Sequence, residues 1–163
     1  MKTAFTSVLL FVLLTSSIFA QKALTNTTLN TLDGKTVNLN EIAKRNELTI
    51  VVFWAIWNNN SVNELNALNG KLSVPIYAVS IDPKSEEAEV LPFVQNKTWK
   101  YNFLLDPNKE VFRGVGGTFP PLILIVDNTG KVLWEKQNFI SNKRSIGQSL
   151  LKIYVGILWI QGH

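Results

Sequence analysis

Phe53-Trp54-Ala55-Ile56-Trp57-Asn58-Asn59-Asn60-Ser61-Val62-Asn63-Glu64 decides how the rest of this chain is organised. The stretch opens on the end of the run Leu48-Thr49-Ile50-Val51-Val52-Phe53-Trp54, apolar and rich in β-branched residues, the pattern of a central strand buried on both faces. It closes on a helix start. The first turn of a helix leaves N–H groups without intrahelical partners, and asparagine is among the best residues for capping them, so Asn58 is the expected N-cap. Ser61 offers a second cap, because Ser61-x-x-Glu64 has the form of a capping box that would put Glu64 in the first turn, where the helix dipole favours an acid. A strand running straight into a helix delivers an exposed polar corner, here Asn58-Asn59-Asn60. Trp54 is expected in the core, whereas Trp57, at the corner, reads equally as a packed strand-end aromatic or as an exposed contact patch.

Working outward, Thr27 to Leu32 and Lys35 to Leu39 flank Asp33-Gly34 and predict a hairpin, since Asp-Gly supplies the positive φ angles of a tight turn. A short helix over Asn40 to Lys44 follows. After the corner, Val62, Leu65 and Leu68 form one helical stripe that stops near Gly70. Val74 to Ile81 reads as a second buried strand closed by Asp82-Pro83, and Lys84 to Gln95 as a helix interrupted or kinked at Pro92. Tyr101 to Leu105 is a shorter strand closed by Asp106-Pro107, with a helical segment between Asn108 and Val115. Leu122 to Val126 is another buried strand, which Asp127-Asn128-Thr129-Gly130 turns back into Lys131 to Glu135. A last helix is expected from about Ser141. Strands alternating with helices, with a closing hairpin, predict an α/β fold: a central mixed sheet flanked by helices, preceded by an N-terminal β-hairpin.

The first twenty residues have a different character. Lys2, the apolar run Val8 to Leu14 and Ser16-Ser17-Ile18-Phe19-Ala20 have the form of a secretory signal peptide over residues 1–20, the alternative being an uncleaved anchor. Export to the periplasm or cell envelope of a bacterium, or secretion, is the expectation, with residues 21–163 as one soluble domain whose core spans about 25–150. The chain contains no cysteine, so neither a lipid anchor on cysteine nor a disulfide is available to it. Its one histidine is His163, which leaves no material for a Ser-His-Asp triad or a multi-histidine metal site, and no cofactor is expected. A formal net charge of +4 without a long Lys/Arg run gives no nucleic-acid groove. The sequons Asn26-Thr27-Thr28, Asn59-Asn60-Ser61 and Asn96-Lys97-Thr98 would matter only in a eukaryotic secretory pathway. In the segment 141–163, the run Leu150 to Ile160 is apolar beyond the needs of a last helix and too short to span a bilayer. It reads either as a helix packed on the sheet with a frayed end, or as a tail for weak membrane binding or self-association.

FWAIWNNNSVNE resembles the active-site stretch of the TlpA-like and redoxin (AhpC/TSA-related) branch of the thioredoxin-like superfamily, which typically reads FWATWCGPCxxE. The resemblance extends over roughly residues 25 to 150, through LDGKTVNL, IVVFWAIW, VSID, LLDPNKEVFRGVGG and TFPPLILIVDNTGKVLW in the family's order. It implies a thioredoxin-like fold and, by family membership, a thiol–disulfide oxidoreductase or antioxidant role in redox homeostasis, or a peroxidase. It also puts Asn58 and Ser61 at the two cysteine positions. Such chemistry needs a thiolate, which neither residue supplies. The resemblance further aligns Pro121 with the family's cis-proline and Pro120 with the residue that docks extended substrate through its backbone. Pro120 has no N–H to give, so Pro120-Pro121 reads either as a rigid loop or as a weakened dock. The family's glutamate after the second cysteine, which tunes or relays protons, corresponds to Glu64, which here has no thiol to tune; Asn66 stands in place of the family's nearby proline. The site expected from the resemblance is therefore Trp57, Asn58, Asn59, Asn60, Ser61, Glu64, Pro120 and Pro121, degenerate for catalysis and open to a protein partner.

Overall fold

In the computed structural model, which describes residues 22–24, 26–137, 155, 156 and 159, the elements follow the expected order. They are β1 (Thr28–Thr31), β2 (Thr36–Asn38), α1 (Leu39–Ala43), β3 (Leu48–Trp54), α2 (Asn59–Leu68), β4 (Ile76–Ser80), α3 (Glu87–Gln95), β5 (Asn102–Leu105), α4 (Glu110–Gly114), β6 (Leu122–Asp127) and β7 (Val132–Gln137). The strands form one seven-stranded sheet in the order β2-β1-β5-β4-β3-β6-β7. β4 runs parallel to both β3 and β5, while β6 is antiparallel to β3 and β7, and β1 is antiparallel to β2 and β5. The sheet is therefore mixed and carries the N-terminal hairpin at one edge.

All seven residues of β3 are buried, because helices cover both faces of the sheet and successive side chains alternate between them. Val51 and Phe53 pack with Leu39 and Ala43 of α1 and Val111 and Phe112 of α4. Ile50, Val52 and Trp54 pack on the other face with Leu65 and Leu68 of α2 and Val90 of α3. Trp54 is fully buried in an aromatic group, its ring centroid 6.0 Å from Phe93, 5.7 Å from Trp99 and 6.1 Å from Phe103. This packing holds the C-terminal end of β3, and hence the corner that follows, against the sheet.

Some boundaries differ from expectation for local reasons. α1 starts at Leu39 because Asn38 caps it, its Oδ1 accepting from the N–H groups of Asn40 and Glu41. β4 starts at Ile76, since Pro75 has no N–H to give to a ladder. α3 begins at Glu87 and continues through Pro92 without interruption; the Asn96 side chain donates to the Pro92 carbonyl at 3.0 Å. The signal-peptide segment 1–20 and most of the expected last helix lie outside the described residues; of that helix, residues 155, 156 and 159 are helical and exposed. Among the described residues no helix is long and apolar enough to cross a membrane.

Candidate functional site

β3 ends at Trp54, and the carboxylate of Asp82, just past β4, takes hold of the chain two residues later. The Ile56 N–H donates to Asp82 Oδ1 at 3.0 Å and Oδ2 at 3.2 Å, and the Ser80 hydroxyl donates to Oδ2 at 2.8 Å. Burial raises the Asp82 pKa, and these donated hydrogen bonds oppose the rise. Asp106 does the same for α4, accepting from the N–H groups of Glu110 and Phe112 at 2.9 Å each. The sequence marked both Asp-Pro pairs only as strand ends; that each carboxylate ties down a neighbouring loop is a finding of the structure.

Asn58 caps α2 as expected. Its Oδ1 accepts from the Ser61 N–H at 2.8 Å and from the Ser61 hydroxyl at 3.2 Å, while its Nδ2 donates across the corner to the Pro120 carbonyl at 3.1 Å. Both residues are buried, Asn58 at 7% exposure and Ser61 at 0%, so the exposed polar corner of the sequence reading is confined to Asn59 and Asn60, with Trp57 beside them. Ser61 is not a second cap: it lies within the first turn of a helix already capped at Asn58, and the Ser61-x-x-Glu64 box does not form.

Glu64 is correspondingly not a first-turn residue. It sits one turn further along α2, faces inward at 6% exposure, and among the described residues its Oε1 has no hydrogen-bond partner. Burial pushes its pKa up to about 7 against the opposing pull of Lys136 and Lys71. The indole N–H of Trp54 is also without a partner among the described residues. A carboxyl in this position is costly to ionise, whatever chemistry surrounds it.

The Pro120–Pro121 bond is cis, and both prolines are buried. Pro120 has no N–H, and its carbonyl already accepts from Asn58, so both backbone groups that would dock an extended peptide are missing or engaged. The preceding loop is tied to β7 by Gln137, whose side-chain oxygen, in the amide orientation that satisfies both its ends, accepts from the N–H groups of Thr118 and Phe119. Gly117 lets the loop close on α4, because a Cβ there would lie 2.3 Å from the Phe112 ring. Trp57 and Phe119, 47% and 46% exposed, meet edge to face across the corner at 5.7 Å between centroids. That contact settles the two readings of Trp57: it packs on one ring and stays open to solvent. Nothing in the sequence reading pointed to Phe119, whose partner is more than sixty residues away in the chain.

A sheet with β4 parallel to β3 and β6 antiparallel, a strand-to-helix corner, and a cis-proline loop opposite it define a thioredoxin-like protein whose corner carries the amide of Asn58 and the hydroxyl of Ser61. The AhpC/TSA family model matches residues 20–143, and the chain belongs to that family. Among solved structures it is similar to an uncharacterised thioredoxin-like protein from Porphyromonas gingivalis, at 27% identity and a TM-score of 0.69, over 86% of this chain and 94% of the other. It is also similar to a protein assigned as thiol:disulfide interchange protein DsbE from Chlorobium tepidum, at 21% identity and a TM-score of 0.65, over 81% and 95% of the two chains. The exposed lipoprotein thioredoxin Etrx1 from Streptococcus pneumoniae shares the fold, at 22% identity and a TM-score of 0.59, over 78% and 99%. No curated protein matches the chain.

Proposed function

We propose that this chain is an exported thioredoxin-like protein that has left thiol chemistry and keeps a protein-binding or scaffold role on the face formed by Trp57, Asn59, Asn60 and the Pro120–Pro121 loop. The observation that carries this reading is the hydrogen-bonding at the corner. Ser61 donates to the Asn58 side chain, and Asn58 in turn donates to the Pro120 carbonyl, so the positions that the resemblance aligns with the cysteines form a strut that closes the corner. With no cysteine in the chain, there is no thiolate to attack a disulfide or a peroxide. Residues 1–20 support export by their pattern. What remains available on this face is side-chain surface, chiefly the Trp57–Phe119 pair.

The purified chain lacking residues 1–20 is expected neither to reduce insulin disulfides nor to consume hydroperoxide with any reductant. Turnover above a protein-free blank that disappears on Asn58→Ala or Ser61→Ala would overturn the loss of catalysis. The binding role is checked separately by placing a photo-crosslinking amino acid at Asn60, exposed at the corner, and at Lys71, exposed past the C-terminal end of α2. Discrete adducts in the native envelope from position 60 and none from position 71 are expected. Equal, diffuse labelling from both would remove the case for a binding face.

A further inference from the structure

Beside the Trp57–Phe119 pair lies a cleft of about 230 Å³, lined also by Thr118, Pro120 and two cations, Lys109 and Arg113. Lys109 precedes α4 and Arg113 lies in its last turn, four residues on, and the Arg113 N–H donates to the Lys109 carbonyl at 3.0 Å. Both side chains line the cleft, which brings two like charges to one site. Among the described residues neither is in an ion pair, and no acidic side chain lines the cleft. Lys109 is also the one non-glycine residue with a positive φ among those described, at 58°. A left-handed lysine is an uncommon way to build a loop, and strained residues of this kind cluster at binding and switch sites.

We propose that this cleft receives an acidic side chain, aspartate or glutamate, from a partner protein, with Lys109 and Arg113 pairing the carboxylate and Trp57 and Phe119 covering its apolar stem. The inference rests on the binding role proposed above and names the chemistry of its partner. Size favours one side chain over a free metabolite, since pockets that enclose a small-molecule ligand run from roughly 300 Å³ upward. Charge favours an acid: two cations with no counter-ion among the described residues would be paired on binding, and Arg113 can grip a carboxylate through two parallel N–H donors. The engaged Pro120 carbonyl favours recognition through side chains over the addition of an extended strand.

Random dodecapeptides displayed on phage and panned against the chain without residues 1–20 supply the probe, and selected peptides are then synthesised for titration. The expected result is enrichment of peptides with Asp or Glu next to an apolar residue. Their binding should weaken at least tenfold in Arg113→Glu and on raising NaCl from 50 to 500 mM, and recover in Arg113→Glu when the peptide acid is changed to Lys. Arg113 is exposed, so this variant is expected to fold. Lys109→Asn removes the second charge with a residue that accepts a left-handed backbone, and should weaken binding in the same sense. Selected peptides that depend on Trp57 or Phe119 but ignore Arg113, Lys109 and salt would overturn the acidic partner and leave the binding face standing. Failure to select any peptide sensitive to Trp57→Ala or Phe119→Ala would overturn both. Arg113-dependent sedimentation with phosphatidylglycerol vesicles, with no peptide bound, would assign the cations to a lipid surface and overturn the proposal.

Discussion

Glu64 is the residue where chemistry and position diverge most. Its place on a helix was legible from the stripe Val62, Leu65 and Leu68, yet two cap signals, Asn58 as N-cap and the box Ser61-x-x-Glu64, make its turn ambiguous in one dimension. Once the Asn58 side chain takes the Ser61 N–H, Glu64 falls in the second turn and points at the sheet. The consequence is a pH dependence with a definite sign. The folded-state pKa of about 7 lies above the ordinary 4.5, so the folded protein holds this proton more tightly than the unfolded chain does. Its contribution is neutral below about pH 4.5, turns increasingly destabilising as pH rises from there to 7, and levels off above 7 at on the order of 2 to 3 kcal/mol, discounted for partial exposure. Burial raises Asp82 and Asp106 in the same direction, so the variant is needed to isolate the effect. Urea midpoints of the parent chain should fall between pH 5 and pH 8, and those of Glu64→Gln should change much less over that range. Glu64→Leu should exceed the parent at pH 8, because an apolar side chain there leaves no unpaired carboxylate. Equal slopes for parent and Glu64→Gln would show that Glu64 does not carry the effect.

At the scale of elements, the long strands were legible because burial on both faces writes itself as an unbroken apolar run: β3 was read from Leu48 to Trp54 and is found there. Short elements slipped by one to three residues where a single side chain set the boundary, as Asn38 does for α1. The corner was legible as a helix start but not as a closed strut, since the bond from Asn58 to Pro120 joins segments whose proximity only the sheet supplies. The strut makes an engineering prediction. In the double variant Asn58→Cys with Ser61→Cys, a disulfide is expected to form within the chain, because Asn58 and Ser61 already meet at 3.2 Å through their side chains at the start of one helix. Turnover on protein disulfides should stay weak, since Pro120 has no N–H, and should rise when Pro120→Thr is added. Free-thiol titration after mild oxidation reads the first step; two persistent thiols per chain would show that Asn58 and Ser61 do not stand where a reactive pair would. Asn58→Ala alone should lower stability by about 1 to 2 kcal/mol through loss of the cap, measurable by thermal unfolding.

For the whole molecule, alternation of strands and helices announced a mixed sheet, whereas the order β2-β1-β5-β4-β3-β6-β7 depends on pairings between distant segments that no local pattern encodes. The C-terminal run was legible as an excess of apolar residues, not as a docked helix or a free tail. Val155 and Trp159, at 53% and 71% exposure, are among the most exposed large apolar side chains described. With Ile157, Leu158 and Ile160 between and beyond them in the sequence, the run holds enough apolar surface, on the order of a few hundred Å², to favour weak association. The chain without residues 1–20 is therefore expected to self-associate weakly at high concentration, and the same chain ended after Gly156 to stay monomeric with an unchanged unfolding midpoint. Light scattering on the two at equal concentration separates the readings. Identical monomers would exclude self-association through the tail, and flotation with lipid vesicles would then show whether the same surface is spent on a membrane. A midpoint that drops on truncation would mean instead that residues beyond Gly156 pack on the sheet and complete the core.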